Sequence, residues 1–185
     1  MNLNSPSVAC GAYSLPITAD DFEWIVPQHQ KRIFRILLPL VGDSDTAETL
    51  TQECFLRAFV KSSSFRGEAR LESWLTRIAI NLACDHLRNR RLAFWRRLVR
   101  GDAIRDLPEN GACRSPEHTL LAREKSAILL AAVGRLPLRQ RTAFVLRYAE
   151  EMPLEQVAEI MRLEVGTVKT HLFRALAALR SAVGE

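Results

Sequence analysis

The side chains best suited to chemistry lie near the C-terminus, where polar residues repeat with the period of a helix. Four of them fall at i, i+3, i+4 and i+7 and so share one helix face: Thr167, Thr170, His171 and Arg174. Lys169 and Phe173 flank this face, and no acidic residue occurs from Val165 to Ser181. Donors arranged in this way suit base edges and phosphates in a DNA major groove. The alternative is the solvated face of an ordinary helical bundle.

A helix-turn-helix would position this face. Two apolar stripes at helical spacing are separated by a short break, and they consist of Leu154, Val157, Ala158 and Met161, then Val168, Leu172, Ala175, Leu176 and Leu179. Two short helices joined by so tight a break must cross steeply. The small side chain of Ala158 suits the point where they approach most closely.

A second basic segment lies in the middle of the chain. His86–Arg100 contains six arginines and no acidic residue, whereas Gly101–Leu120 is rich in Asp and Glu. The arginines predict a track for phosphates. The acidic stretch also contains Pro108, Gly111 and Pro116, and this composition predicts a flexible linker.

The whole composition favours a small, basic, helical protein. The chain has 185 residues, 48% of them apolar and 25% charged, with a formal net charge of +5 and only 8 glycines. No stretch approaches the roughly 18–20 apolar residues that span a bilayer. The first residues carry no basic segment before an apolar one, so no signal peptide is expected. We therefore predict a cytoplasmic protein without membrane insertion.

Nothing in the sequence predicts a catalytic centre, a cofactor or a metal site. The four cysteines are widely spaced, and the four histidines are scattered. Neither a phosphate-binding glycine loop nor a hydrolase or metalloprotease motif is present. The cysteines at 54 and 84 are interpreted as small apolar residues of the interior, kept reduced. An enzyme is accordingly disfavoured.

The order of apolar stripes predicts an all-α fold of two small helical domains. The domains cover residues 18–92 and 120–185, with a loose tail at 1–17 and a linker at 93–119. In the first domain, helices are expected from about 22 to 41, 45 to 61 and 71 to 90, with Pro27 as a kink and Gly42 as a C-terminal cap. Phe55 and Phe59 are both assigned to the buried face of the second helix.

Three stretches in order resemble the group IV sigma factors of bacterial RNA polymerase, also called extracytoplasmic function (ECF) sigma factors. They are DTAETLTQECFLRAF at 45–59, FRGEARLESWLTRIAINLACDHLRNRR at 65–91, and RLPLRQRTAFVLRYAEEMPLEQVAEIM with VGTVKTHLFRALAALR within 135–180. The resemblance implies a transcription initiation factor without catalytic residues. It would bind core RNA polymerase, through the β′ clamp and the β subunit, and direct it to promoters with −35 and −10 elements.

The resemblance assigns the first stretch to the polymerase clamp. The residues expected to dock there are Asp45, Glu48, Gln52, Glu53 and Phe55. An acidic and amide patch in a basic protein suits a protein partner better than DNA, although a solvated helix face is the alternative. Thr49 stands where the family usually has an acidic residue, which predicts a weaker clamp contact at that position.

The second stretch is implied to recognise and open the −10 element. Its expected residues are Phe65, Arg66, Gly67, Glu68, Ala69, Arg77, Ile80, Asn81, Arg88, Arg90 and Arg91. The loop at 65–69 would hold a flipped base, Ile80 would wedge beside the last base pair, and Asn81 would bond a base or sugar. The arginines would neutralise phosphates. Trp74 is interpreted as a core residue rather than a stacking platform.

The third stretch is implied to bind the −35 element through Thr167, Lys169, Thr170, His171, Phe173 and Arg174. Arg162 stands where a glycine is common in the turn, and Glu164 where a serine-like cap is common. His171 replaces a frequent arginine, which predicts an unusual base preference. The family also implies an anti-sigma factor as a partner. The competing hypothesis is a stand-alone helix-turn-helix regulator that binds duplex DNA without polymerase.

Overall fold

The structure, a computed structural model, describes residues 17–65, 67, 70–100 and 129–183, with the backbone alone at 94–100 and 183. Within these ranges every regular element is helical, which confirms the all-α prediction. The tail at 1–16, residues 66, 68 and 69, and residues 101–128, which include most of the predicted linker, lie outside the described residues.

Helix α1 covers Phe22–Val41 and is continuous through Pro27, so the predicted kink does not interrupt it. The turn before its N-terminus is stabilised by Asp21, whose carboxylate accepts hydrogen bonds from the backbone N–H and the hydroxyl of Thr18 at 2.7 and 2.8 Å. The helix ends at Gly42, which takes a left-handed conformation (φ 78°) and donates its N–H to the Leu38 carbonyl. That conformation costs glycine little.

Helices α2 and α3 complete the N-terminal bundle. Helix α2 covers Ser44–Val60 and is capped by Asp43, whose carboxylate accepts the Thr46 N–H at 2.8 Å. Hydrogen bonding from the Thr46 side chain, and then from its backbone N–H, lowers the pKa of Asp43. After a 3₁₀ turn at Ser62–Ser64, helix α3 covers Leu71–Arg100. It thus extends ten residues beyond its predicted end, into the segment predicted as linker, because nothing after Arg90 in the basic run breaks a helix.

The C-terminal domain contains four helices within the described residues. Helix α4 is described at 129–135, α5 covers Leu138–Phe144 and continues into a single π-helical turn at Val145–Ala149, α6 covers Leu154–Met161, and α7 covers Val165–Val183. Pro137 and Pro153 immediately precede α5 and α6, where their missing N–H groups cost nothing. The fully buried side chains of Leu146, Val157 and Val168 join these elements into one core.

The two domains are in contact. Helix α6 packs on α3, and both α5 and the π-helical turn pack on α1. The structure therefore has the two predicted helical regions, but it brings them together.

Candidate functional site

The predicted DNA-reading face of α7 is open to solvent. Five of its six predicted residues are exposed, namely Thr167, Lys169, Thr170, Phe173 and Arg174. The opposite stripe of α7 is buried at Val168, Leu172, Ala175 and Leu179. The helix is therefore amphipathic as the spacing predicted, with its polar side available to a partner.

The turn before α7 accommodates both departures from the family pattern. Arg162 takes the left-handed conformation (φ 53°, ψ 50°) that usually favours glycine, and its N–H is bonded to the carbonyls of Ala158 and Glu159. Glu164 caps α7 through its backbone, since its carbonyl accepts the N–H groups of Thr167 at 2.9 Å and Val168 at 3.1 Å. The side chain of Arg162 is exposed at this corner.

His171 differs from its neighbours on the face. It is half-buried, and neither ring nitrogen contacts solvent or a hydrogen-bond partner within the part of the chain that the structure describes. Burial, followed by the positive charges of Arg139 and Arg174, lowers its pKa from the ordinary 6.5. At neutral pH the imidazole is thus uncharged, with one nitrogen protonated and the other unprotonated.

Helix α3 presents a second polar face. Arg77, Asn81 and Arg88 recur at i, i+4 and i+11, which places them on one side of the helix. Asn81 and Arg88 are exposed and Arg77 is half-buried. Arg88 bonds Asp85 at 2.8 Å, an exposed pair that a phosphate can displace at little cost. Arg90 and Arg91 are exposed one turn further on.

Two residues predicted to touch DNA are buried instead. Phe65 is 8% exposed and packs on Trp74, with ring centroids 5.1 Å apart. This contact places Trp74 in the core, as the sequence suggested. Ile80 is 7% exposed, so in this conformation it has no free surface with which to separate base pairs. Of the predicted base-holding loop, Gly67 is described with φ 71°, and residues 66, 68 and 69 lie outside the described residues.

Helix α2 carries the predicted polymerase-binding face. Asp45, Glu48 and Gln52 are exposed at i, i+3 and i+7. Glu53 is half-buried, and its carboxylate accepts two hydrogen bonds from Arg57 at 2.9 and 2.6 Å. Thr49 is also exposed, with its hydroxyl donated to the Asp45 carbonyl at 2.9 Å.

Two aromatic assignments on α2 require correction. Phe55 is 7% exposed and belongs to the bundle core, so it offers no surface to a partner. Phe59, assigned to the buried face, is 47% exposed and lies edge-on to Phe22 at 5.3 Å. The reason is angular: Phe59 follows Phe55 by four residues but has turned about 40° further round the helix, beyond the edge of the bundle.

The exposed apolar residues of α2 were missed by sequence reasoning. Leu56 is 63% exposed and Val60 is 71% exposed. Leu56 and Phe59 continue the stripe of Asp45, Glu48 and Gln52 at i+11 and i+14. This spacing could have indicated their exposure from the sequence. We call the five residues Asp45, Glu48, Gln52, Leu56 and Phe59 the α2 stripe. It combines acid, amide and large apolar groups, a composition that suits a protein partner.

The two cysteines that the structure describes, Cys54 and Cys84, behave as structural residues. Cys54 is buried, its thiol lies 3.5 Å from the Leu75 carbonyl, and burial raises its pKa to about 12. Cys84 is half-buried, and burial likewise raises its pKa. Neither thiol is disposed to form the reactive thiolate. Among the described residues there is no cluster of His, Cys, Asp or Glu suited to a metal ion, and no helix there is long and apolar enough to cross a membrane.

The fold is helical and contains a helix-turn-helix, and it exposes a basic face on α7 and a separate acidic and apolar face on α2. The family described as Sigma-70 region 2 matches residues 25–93, and that described as Sigma-70, region 4, matches residues 126–179. Both exposed faces, on α2 and on α7, fall within these matches.

Whole-chain relatives agree with this assignment. RNA polymerase sigma-H factor of Pseudomonas aeruginosa is 34% identical over 171 residues, spanning 88% of this chain and 86% of that protein. ECF RNA polymerase sigma factor SigW of Bacillus subtilis is 32% identical and spans 90% of each chain. The chain belongs to the ECF RNA polymerase sigma factors. Members of this family are transcription initiation factors rather than enzymes, and the stand-alone regulator hypothesis is set aside.

Solved structures share the fold. Sigma factor RpoE of Bartonella quintana, in complex with the anti-sigma factor NepR, gives a TM-score of 0.70 at 23% identity and covers 89% of this chain and 98% of that one. CnrH, in complex with the cytosolic domain of CnrY, gives a TM-score of 0.64 at 19% identity, with 90% and 89% covered.

Proposed function

We propose that this sigma factor contacts polymerase and promoter DNA through three separate surfaces. The α2 stripe binds the β′ clamp of core RNA polymerase, the Asn81 face of α3 binds the opened −10 strand, and α7 enters the major groove of the −35 element. The protein acts in the cytoplasm, where polymerase and chromosome are found. The β subunit is expected to contact the C-terminal domain.

One observation carries the proposal: the α2 stripe exposes Leu56 and Phe59 beside Gln52 on a chain whose other candidate faces are basic. A protein that bound only DNA would gain nothing from large apolar groups next to carboxylates. Both groups become useful when a protein partner covers them, because an interface buries apolar anchors at its centre and keeps polar groups at its rim.

The roles of α3 and α7 follow from their donors. Asn81 offers an amide that can bond a base edge, and Arg88, Arg90 and Arg91 add positive charge along the same helix. On α7, Thr167, Lys169, Thr170 and Arg174 offer donors from one exposed face, with His171 at its edge and Phe173, 74% exposed, available for apolar contact with a base or sugar.

An anti-sigma factor is a further proposed partner. RpoE was solved with the anti-sigma factor NepR, and CnrH was solved with the cytosolic domain of CnrY. The α2 stripe is a surface that an inhibitor could cover in order to exclude polymerase.

Run-off transcription with core polymerase on a two-element promoter tests the proposal. We expect promoter-specific transcripts with the wild type, and loss of polymerase capture with the Gln52→Ala, Leu56→Ala double variant. Leu92→Ala, which removes a 48% exposed leucine from α3, serves as the matched control and should bind polymerase normally. Normal capture by the double variant would show that the α2 stripe is not the polymerase surface.

A further inference from the structure

Helix α2 exposes a contiguous group of large apolar side chains near its C-terminal end. Leu56, Phe59 and Val60 are 63%, 47% and 71% exposed. Phe59 and Val60 follow Leu56 by three and four residues, so the three side chains are neighbours on one helix face. We call them the apolar triad. Single exposed apolar residues are ordinary on a protein surface, whereas a contiguous group indicates a surface that another segment or partner covers.

The triad lies at the end of the bundle where the chain enters it. The ring of Phe59 lies edge-on to that of Phe22, the first residue of α1, at 5.3 Å between centroids. Ile17, five residues earlier, is 4% exposed and belongs to the core. The hydrogen bonds between Thr18 and Asp21 close the intervening turn, so Ile17 stays beside the start of α1. The segment that precedes Ile17 therefore begins at the same end of the bundle as the triad.

That segment, residues 1–16, lies outside the described residues, and its composition suits an apolar surface. It contains no Asp, Glu, Lys or Arg, although charged residues make up 25% of the chain. Its large apolar residues nearest to Ile17 are Tyr13 and Leu15. Side chains two residues apart point to one side of an extended segment, and Pro16 favours extended backbone at Leu15. Both side chains can therefore meet one surface.

The distances allow this contact. An extended chain covers roughly 3.3–3.6 Å per residue, so Tyr13 can lie up to about 14 Å from Ile17. The triad extends only about 6 Å along α2, at 1.5 Å per residue. Trp24 on α1 is also 73% exposed, but it lies about 160° round the helix from Phe22 and so faces away from the triad.

The side chains around the triad also suit an uncharged segment. Glu53 and Arg57 lie on the adjoining side of α2 and bond each other at 2.9 and 2.6 Å, so their charges offset one another. Gln52, one turn before Leu56, carries a neutral amide. A neutral apolar segment can cover this part of α2 without removing an unpaired charge from water.

We propose that residues 1–16 lie across the apolar triad, with Tyr13 and Leu15 as the anchors, and that they compete with core polymerase for Leu56 and Phe59. The competition rests on the proposed function, which assigns the α2 stripe to polymerase, whereas the contact itself does not. The acidic end of the α2 stripe stays uncovered, so polymerase binds there first and then displaces the segment from the apolar end.

Photo-cross-linking of the full chain tests the contact. Tyr13 is replaced by the photoreactive amino acid p-benzoylphenylalanine, and the cross-linked peptides of the monomeric fraction are identified by mass spectrometry. We expect cross-links to residues 56–60. Leu56→Ser with Val60→Ser should abolish most of them, with unchanged helical content by circular dichroism. Leu92→Ser, at an exposed leucine of α3, is the matched control and should leave the yield unchanged.

Other cross-linking results would overturn the proposal. Cross-links confined to other segments, such as the part of α1 around Trp24, would place residues 1–16 elsewhere. Cross-links found only between two copies of the chain would assign the triad to a dimer.

Equilibrium binding to core polymerase supplies the second measurement. Apparent affinity is reduced by the fraction of chains that are competent to bind, so a segment that covers the triad in about nine of ten chains weakens binding about tenfold. Deletion of residues 2–16 should restore that factor, whereas deletion of residues 2–6 keeps both anchors and should not. An unchanged affinity after the longer deletion would reject the competition. Cross-links to residues 56–60, together with normal polymerase capture by the Gln52→Ala, Leu56→Ala variant, would uphold the contact and reject the proposed function.

Discussion

Helices α3 and α7 both carry basic faces to which we assign DNA binding, yet the two faces differ in how far they are exposed to solvent. The α7 face is exposed at Lys169, Thr170 and Arg174, with His171 half-buried at its edge. The α3 face is open at Asn81 and closed at Ile80. The proposed contact with intact −35 duplex relies on the α7 face alone. The proposed −10 role relies on the α3 face, which is exposed at Asn81 but buried at Ile80, so the two candidate DNA faces differ in how much of their surface a ligand can reach.

The largest effect is expected from removing charge on α7. Lys169→Ala with Arg174→Ala should weaken binding to a −35 duplex at least about thirtyfold, because each such side chain contributes about 1–3 kcal/mol to binding. The slope of log affinity against log salt should fall by nearly one for each phosphate that the variant no longer neutralises. Arg180→Ala, exposed in the last turn of the same helix, is the control. Equal weakening by the control would mean that binding depends on total charge and not on this face.

A smaller effect is expected on α3. Asn81→Ala should weaken binding of the polymerase complex to a forked −10 template by about tenfold, since one good base contact contributes about 1–3 kcal/mol, and leave −35 duplex binding unchanged. Asn89→Ala, also exposed on α3, is the matched control. Should −35 binding fall with Asn81→Ala, the division of labour between the two faces would be wrong.

The smallest effect is expected for the pH dependence of −35 binding, which involves His171 on α7 and no residue of the α3 face. His171 is neutral at pH 7 because burial and neighbouring cations lower its pKa. Nearby phosphates favour the protonated form, so binding takes up a proton and −35 affinity should rise a few-fold as pH falls from about 7.5 to about 5.5. His171→Gln should remove that part of the pH dependence in a fluorescence titration. A variant with the wild-type pH profile would place the imidazole away from the phosphates.

The sequence predicted well what depends on periodicity. The helix-turn-helix, the exposure of Arg174 and Asn81, the cap at Gly42 and the core position of Trp74 all follow from local spacing. At α2 the same reasoning failed for Phe55 and Phe59, because both are large and apolar and only the turn of the helix relative to its neighbours separates core from surface.

Other features could not be read from spacing at all. The extension of α3 to Arg100 was missed because a run of arginines is equally compatible with a solvated helix and a linker. The pairing of Glu150 with Arg32 joins residues that lie 118 positions apart, and nothing local in either segment indicates it. Contacts of this kind depend on how two folded domains meet.

The left-handed turn at Arg162 has a consequence for how the motif tolerates change. An L-residue with a side chain costs roughly 1–2 kcal/mol more than glycine in that conformation, and Arg162 adopts it at φ 53°. The motif therefore folds with some of its stability forgone, and it carries a positive charge beside the DNA-reading helix. A glycine at position 162 would increase the free energy of unfolding and remove a cation. Selection for stability would therefore favour glycine there, whereas selection for tighter DNA binding would favour arginine.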